Sequence, residues 1–352
     1  MSALPPRRAA APMPAYQGIL RRRAALLFLL MAATAVAMLA DFMTGAANLR
    51  GSELLAALLQ PGATDPTHQV IVWHIRLPQA LLAVVVGAAM GLAGAEMQTI
   101  LDNPLASPYT LGVSSAAALG ASLAIVLGVG LPGLPQAWAV AANAFLFAVG
   151  CAVLLDFLAR WRGMPPSAVL LSGIALVFTF NALISLIQLM ASAQALQNLM
   201  FWTMGSLTRA DWTSLAILAA ALTCCLPFSL CNAWRLTALR LGEERAASFG
   251  VHTTRVRVGA LARVSLLCAL AVAAVGVIGF IGMVAPHLAR RWFGEDHRYY
   301  LPGSALAGAA VLSLASLLSK VLIPGVIVPV GIITALVGIP FFIAAIWRRP
   351  LA

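Results

Sequence analysis

Few side chains in this sequence could do chemistry, and their spacing excludes more than it offers. The single lysine, Lys320, is followed by Val321. A phosphate-cradling Gly-x-x-x-x-Gly-Lys loop needs a lysine followed by Ser or Thr, so this chain does not hydrolyse ATP by that route. It has no His-Glu-x-x-His pair for zinc and no Gly-x-Ser-x-Gly elbow for a serine nucleophile. His68, His74, His252, His287 and His297 are scattered, and each suits a loop or interface better than a metal site. Cys151, Cys224, Cys225, Cys231 and Cys268 lie in or beside apolar runs without zinc-ligand spacing. They read as small apolar packing residues, and no metal is expected.

Ion-coupled carriers place a carboxylate inside the membrane. The candidates here, Asp41, Glu96 and Asp156, all fall toward the ends of apolar runs. That counts against a proton-coupled carrier. Asn143, Asn181 and Gln188 lie deeper in such runs and suit interhelical hydrogen bonds or the lining of a path. One polar segment stands apart: Leu241-Gly242-Glu243-Glu244-Arg245-Ala246-Ala247-Ser248-Phe249-Gly250-Val251. Acidic residues at its start and Gly250 at its end predict a short amphipathic helix. A merely solvated loop has no use for Leu241 and Phe249, whereas a helix that docks on a partner does.

The elements that must hold these residues are membrane helices. The chain has 352 residues, is 62% hydrophobic and only 9% charged. A soluble fold could not hide so much apolar surface, but a bilayer accepts it in spans of about 20 residues. Apolar runs predict an all-α protein with ten spans: 24–42, 79–100, 113–130, 136–158, 168–190, 213–232, 257–276, 278–293, 303–321 and 330–347. A tail over 1–23 precedes them and a tail over 348–352 follows, around one transmembrane domain over 24–347 with an inner loop over 235–256. The Arg21-Arg22-Arg23 run before the first apolar stretch resembles a signal peptide, but no small-residue cleavage site follows.

The net charge is +11. With both ends in the cytoplasm, seventeen basic residues fall inside, among them Arg7, Arg8, Arg162, Arg348 and Arg349. Only four, Arg50, Arg76, Arg209 and Lys320, fall outside, and Arg263 is left within the seventh span. Membrane orientation explains this placement, since inner loops collect Arg and Lys. Nucleic acid as a partner is set aside.

Gly87, Gly91 and Gly94 share one helix face, and Gly276, Gly279 and Gly282 recur every three residues. Small residues let helices approach in lipid. The second set also suits a flexible lead-in to a short moving span. A parallel internal repeat is suggested by Asn103-Pro104-Leu105-Ala106 after the second span and Pro286-His287-Leu288-Ala289 near the end of the eighth.

Together these segments resemble one family, the ten-span permeases of ABC importers for ferric siderophores, haem and vitamin B12. The resemblance runs from Arg76-Leu77-Pro78 through Gln98, Asn103-Pro104-Leu105-Ala106 and Leu111-Gly112 to Trp202-Thr203-Met204-Gly205-Ser206. It continues in Leu241-Gly242-Glu243 with Ala246 and Gly250. It ends with Gly279-Phe280-Ile281-Gly282, Pro286-His287-Leu288-Ala289-Arg290, Pro329-Val330-Gly331 and Gly338-Ile339-Pro340-Phe341-Phe342.

The resemblance implies a vitamin B12 permease-like fold in the inner membrane. It implies a dimer with a second copy or a similar permease, two ATP-binding subunits and a periplasmic substrate-binding protein. ATP and Mg would then bind the partner ATPase, with no cofactor on this chain. Leu241, Gly242, Glu243, Arg245, Ala246, Phe249 and Gly250 would form the ATPase-coupling helix. Asn103, Pro104, Leu105 and Ser167 would form the cytoplasmic gate, although Pro166 departs from the polar residue of the vitamin B12 permease. Gly279, Gly282, Pro286 and His287 would belong to a mobile short span. Arg76 and Lys320 would dock the binding protein, but Gln79 and Val328 replace charges usual in the family. A ferric siderophore is the leading cargo, with haem, vitamin B12 and molybdate as alternatives. A secondary carrier, and an intramembrane enzyme or receptor component, are the competing classes.

Overall fold

The computed structural model describes residues 14–45, 47, 49–60, 65–130, 132–161 and 166–347. The tail over 348–352, residues 1–13, and with them Arg7, Arg8, Arg162, Arg348 and Arg349, lie outside the described residues. The described residues are almost wholly helical, with one isolated bridge between Ile323 and Val326.

In chain order the helices are α1 (Pro14–Met43), α2 (Gly51–Leu59), α3 (Pro66–Val70), α4 (Leu77–Ile100), α5 (Val113–Leu127), α6 (Gln136–Trp161), α7 (Pro166–Leu189) and α8 (Ala193–Thr203). They continue as α9 (Trp212–Cys231), α10 (Ala233–Leu239), α11 (Glu243–Ser248), α12 (Thr253–Val275), α13 (Ile281–Phe293), α14 (His297–Val321) and α15 (Val330–Trp347). Each of the ten expected spans holds a helix: α1, α4, α5, α6, α7, α9, α12, α13, α14 and α15. Seven are long and apolar enough to cross a bilayer, and α5 and α15 are shorter apolar helices. The tenth, α13, has thirteen residues and is roughly 20 Å long at 1.5 Å per residue. That is short of a hydrocarbon core of about 30 Å.

The ends of the spans sort into two sets, as alternate crossing requires. At one end Trp212 Nε1 donates to the Trp73 carbonyl (2.9 Å). At the other, Arg23 of α1 bonds Asp296 before α14 (3.1 Å), and Arg240 bonds Asp102 after α4 (2.5 Å).

Some order was not anticipated. The segments between spans contain α2, α3, α8 and α10, and α1 already begins at Pro14. A π-helical stretch, Ile71–Arg76, joins α3 to α4. The turn widens just before Pro78, which has no N–H to donate, and the Leu77 N–H reaches back to the Val72 carbonyl. The two segments compared as a repeat also differ locally. Asn103–Ala106 is a turn, whereas Pro286–Ala289 lies within α13.

Helix α4 is the axis of the bundle, buried along most of its length. An added Cβ on Gly87 would stand 2.3 Å from the Gly308 carbonyl oxygen; on Gly91, 2.2 Å from that of Ser304; on Gly94, 1.8 Å from that of Gly282. Helices α14 and α13 thus lie backbone to backbone against α4. A second close approach joins α5 and α6, where Gly120 meets the Asn143 carbonyl. The Asn143 side chain donates to the Val129 carbonyl (2.7 Å), closing the loop after α5.

Two ion pairs lock helices within the bundle. Arg263 of α12 grips Glu96 of α4, with Nη2 to Oε1 at 2.7 Å and Nε to Oε1 at 3.1 Å. Lys320 of α14 meets Asp41 of α1 at 2.8 Å. Asp41 and Glu96 are fully buried beside these cations, so neither is a free membrane carboxylate.

Gly94→Ala drives a methyl into the Gly282 backbone and is expected to cost about 1–3 kcal/mol, the range of overpacking. Gly150→Ala on α6, where a Cβ meets nothing within 4 Å, is expected to be neutral or slightly stabilising. Thermal denaturation of the purified variants in detergent measures both.

Candidate functional site

The segment 241–251 is built by its glycines. Gly242, at φ 101°, turns the chain out of α10, and Gly250, at φ 79°, turns it out of α11. The Val251 N–H bonds the Ala246 carbonyl (3.1 Å) and the Gly250 N–H bonds the Ala247 carbonyl (2.9 Å). This is a Schellman stop, which needs the left-handed conformation that glycine adopts without strain. The helix runs from Glu243, two residues later than Leu241, so Leu241 and Gly242 form the turn that leads into it. Ala246 is fully buried and fastens the segment, while Leu241 and Phe249 are more than half exposed. Glu243 pairs with Arg257 of α12, and Arg245 is exposed. Beside Gly250 a cavity of about 160 Å³ opens among Asn232, Arg235, His252 and Arg255.

The candidate gate residues lie at the same end of the bundle. Asn103 Oδ1 accepts from the Leu105 N–H (2.9 Å), an Asx turn that fixes Pro104 between them. Leu105 is 44% exposed, while the next residue, Ala106, is fully buried. Ser167 stands exposed in the first turn of α7.

Helix α13 is tightly held where it starts. Gly282 lies against Gly94, and Gly338 of α15 lies against the Phe280 ring. Phe280 adopts φ 69°, a costly conformation for an aromatic residue. The chain leaves α12 at Gly276 and passes Gly279 before that strained residue. His287 packs edge-on against Phe341 of α15, centroids 5.4 Å apart. Pro286 lies in the buried part of α13.

Sequence reasoning missed the polar web that joins these parts. Arg240 Nε and Nη2 each reach a Glu295 oxygen at 3.2 Å, while Nη1 reaches Asp102. Arg290 of α13 shares Glu295 (3.2 Å) and bonds Tyr300 (3.0 Å) and Gln98 (3.3 Å). His297, fully buried, lies between Thr99 of α4 (2.8 Å) and Thr237 of α10 (3.0 Å). Asp296 is held below the usual carboxylate range by hydrogen bonds from Arg298.

This arrangement of helices has relatives of known kind. The model of the FecCD transport family matches residues 31–348. The chain belongs to the FecCD transport family. It is therefore an ABC importer permease, a multi-pass membrane protein of a system in which a partner ATPase hydrolyses ATP. It is 38% identical to the hemin transport system permease protein HmuU of Yersinia pestis over 307 residues, 87% of this chain and 91% of that one. It is 37% identical to the vitamin B12 import system permease protein BtuC of Escherichia coli over 279 residues, 79% and 84% of the two chains. A solved structure described as an inward-facing metal-chelate type ABC transporter shares 30% identity. It matches with a TM-score of 0.80 over 93% of this chain and all of that one.

At the opposite end of this FecCD chain, the two expected docking cations are placed otherwise. Arg76 and the Lys320 side chain are almost fully buried, not offered on the rim. The Arg76 guanidinium donates to the carbonyls of Met43 (2.9 Å) and Ala47, and Lys320 Nζ donates to the Asp41 carbonyl (2.9 Å). Both hold the end of α1, whose last carbonyls have no helical partner. The charges of Arg76 and Lys320 are therefore spent inside the bundle and not on a docking rim. A cavity of about 530 Å³ opens at this end, lined by Trp138, Asn198, Phe201, Trp202, Arg209 and Asp211 among others.

Lys320→Met leaves Asp41 buried without its cation and is expected to cost about 3–5 kcal/mol. Adding Asp41→Asn is expected to restore much of that stability. Thermal melts of the single and double variants decide it, and an undiminished melt for Lys320→Met would return the lysine to the surface.

Proposed function

We propose that the chain carries an iron chelate inward across the inner membrane as one half of a permease dimer, with a ferric siderophore as its cargo. The Arg240 end faces the cytoplasm and so do both termini. The asymmetry of basic residues supports that orientation. Two ATPase subunits, holding ATP and Mg, dock at this end, and a substrate-binding protein docks at the other.

The observation that carries the ATPase reading is the segment around α11. A buried alanine fixes it, a glycine stop ends it, and two large apolar side chains project from it unpartnered by the chain's own core. The basic cavity next to Gly250 adds a charge that acidic side chains of a partner would meet. Leu105 and Ser167, exposed at the same end, form the gate, and α13 is the short span that moves with it.

Haem is the second reading, favoured by the likeness to the hemin permease over 87% of the chain. Vitamin B12 and molybdate follow. All of these would be handed over by the binding protein.

Replacing Glu243, Arg245 and Phe249 together is expected to abolish co-purification of the ATPase while leaving the permease folded. Retention of the ATPase would remove the coupling role. In proteoliposomes with both partners, uptake of a radioiron-loaded ferric hydroxamate is expected to exceed uptake of hemin or cyanocobalamin and to stop when the nucleotide site is blocked. Uptake by the purified chain alone under a proton gradient would defeat the importer reading.

A further inference from the structure

We propose that Arg240 is a positioning residue that passes the displacement of the ATPase-docked segment to the gate turn. This inference rests on the importer reading and names how its two ends communicate.

Arg240 lies between α10 and the 241–251 segment, two residues before the Gly242 turn. Its side chain is only 19% exposed, and its guanidinium faces two carboxylates unequally. Toward Glu295 it presents a fork, Nε and Nη2 each at 3.2 Å. Toward Asp102 it offers one contact, Nη1 to Oδ1 at 2.5 Å, with the Asp102 side chain 73% exposed. A two-pronged contact resists rotation, whereas a single exposed one is readily given up. Glu295 is therefore the fixed arm and Asp102 the releasable one.

The releasable arm ends where the gate turn begins. Asp102 immediately precedes Asn103-Pro104-Leu105 and has φ 45°, the left-handed region that a side-chain-bearing residue rarely adopts. Asn103 is restricted by the proline after it and by its own bond to the Leu105 N–H. The turn is thus stiff from 103 to 105, and its weak point is the backbone of Asp102. Loss of the Arg240 contact frees that backbone to relax, and the stiff turn carries Leu105 with it.

The mechanical input is present as well. Helix α10 is seated by Leu236 and Leu239 and tied to the end of α4 through Thr237, His297 and Thr99. A push on the 241–251 segment therefore reaches Arg240 before it dissipates. The fixed arm also reaches α13, because Arg290 shares Glu295. One guanidinium thus joins the docking segment, the gate turn and the short helix.

Asp102→Asn tests this, because asparagine tolerates the left-handed conformation and only the charge is lost. The permease, its ATPase and its binding protein are reconstituted in liposomes. Uptake of a radioiron-loaded ferric hydroxamate, or of hemin if the unmodified system prefers it, is measured beside ATP hydrolysis. The ratio of substrate moved to ATP hydrolysed is expected to fall about three- to fivefold, the scale of one exposed ion pair, with hydrolysis itself unchanged. Asp102→Glu, which keeps the charge, is expected to recover most of the ratio. An unchanged ratio for Asp102→Asn overturns the proposal. So does loss of ATPase co-purification, which would place Asp102 in the docking surface. Absence of ATP-dependent uptake in the unmodified system would instead defeat the importer reading itself.

Discussion

Helix α4 meets α14 and α13 with no side chain between the backbones, at Gly87, Gly91 and Gly94. In lipid this contact does what hydrophobic burial does in water. Hydrocarbon tails are as apolar as leucine, so helices gain by close approach and not by escaping solvent. Most of the remaining order follows from α4 being pinned. One of its ends places Arg76 under the last turn of α1, and the other delivers Asp102 and Asn103 to the turn proposed as the gate. Three of the polar residues that face other helices, Glu96, Gln98 and Thr99, lie in its last two turns.

The spans were legible because each is a local property of the chain. An apolar run of the right length declares itself without reference to anything else, and the arginine asymmetry orders the runs. The 241–251 helix was legible for a similar reason, since acidic start and glycine stop lie within eleven residues. Legibility failed where the decisive partner is remote. Lys320 and Asp41 are 279 positions apart, and Arg240 and Asp102 are 138 apart. Nothing near Lys320 says that its charge is spent inside the bundle. Amphipathic α8 and the π-helical stretch before Pro78 were missed for another reason: neither is long or apolar enough to interrupt a reading based on spans.

The buried charges bear on the class of transport. A coupling carboxylate in a carrier must gain and lose a proton or cation as it works. Asp41 and Glu96 instead each face a cation at ion-pair distance. Such pairs fix helices and add little net stability, since desolvation offsets much of the attraction. Their use here is to set which helices are neighbours. In this family the energy for movement arrives from outside the bilayer, through a partner ATPase.

Helix α11 has six residues. A free peptide needs about 12–15 residues to hold even a marginal helix in water, so this one exists only because α10 and α12 clamp its ends and Ala246 is seated between them. A chain still being inserted, with α12 not yet in place, has no such helix to show. The surface proposed for the ATPase therefore comes into being only once α10 and α12 have packed around it. An ATPase that grips α11 would meet its surface only on chains in which α10 and α12 are already in place.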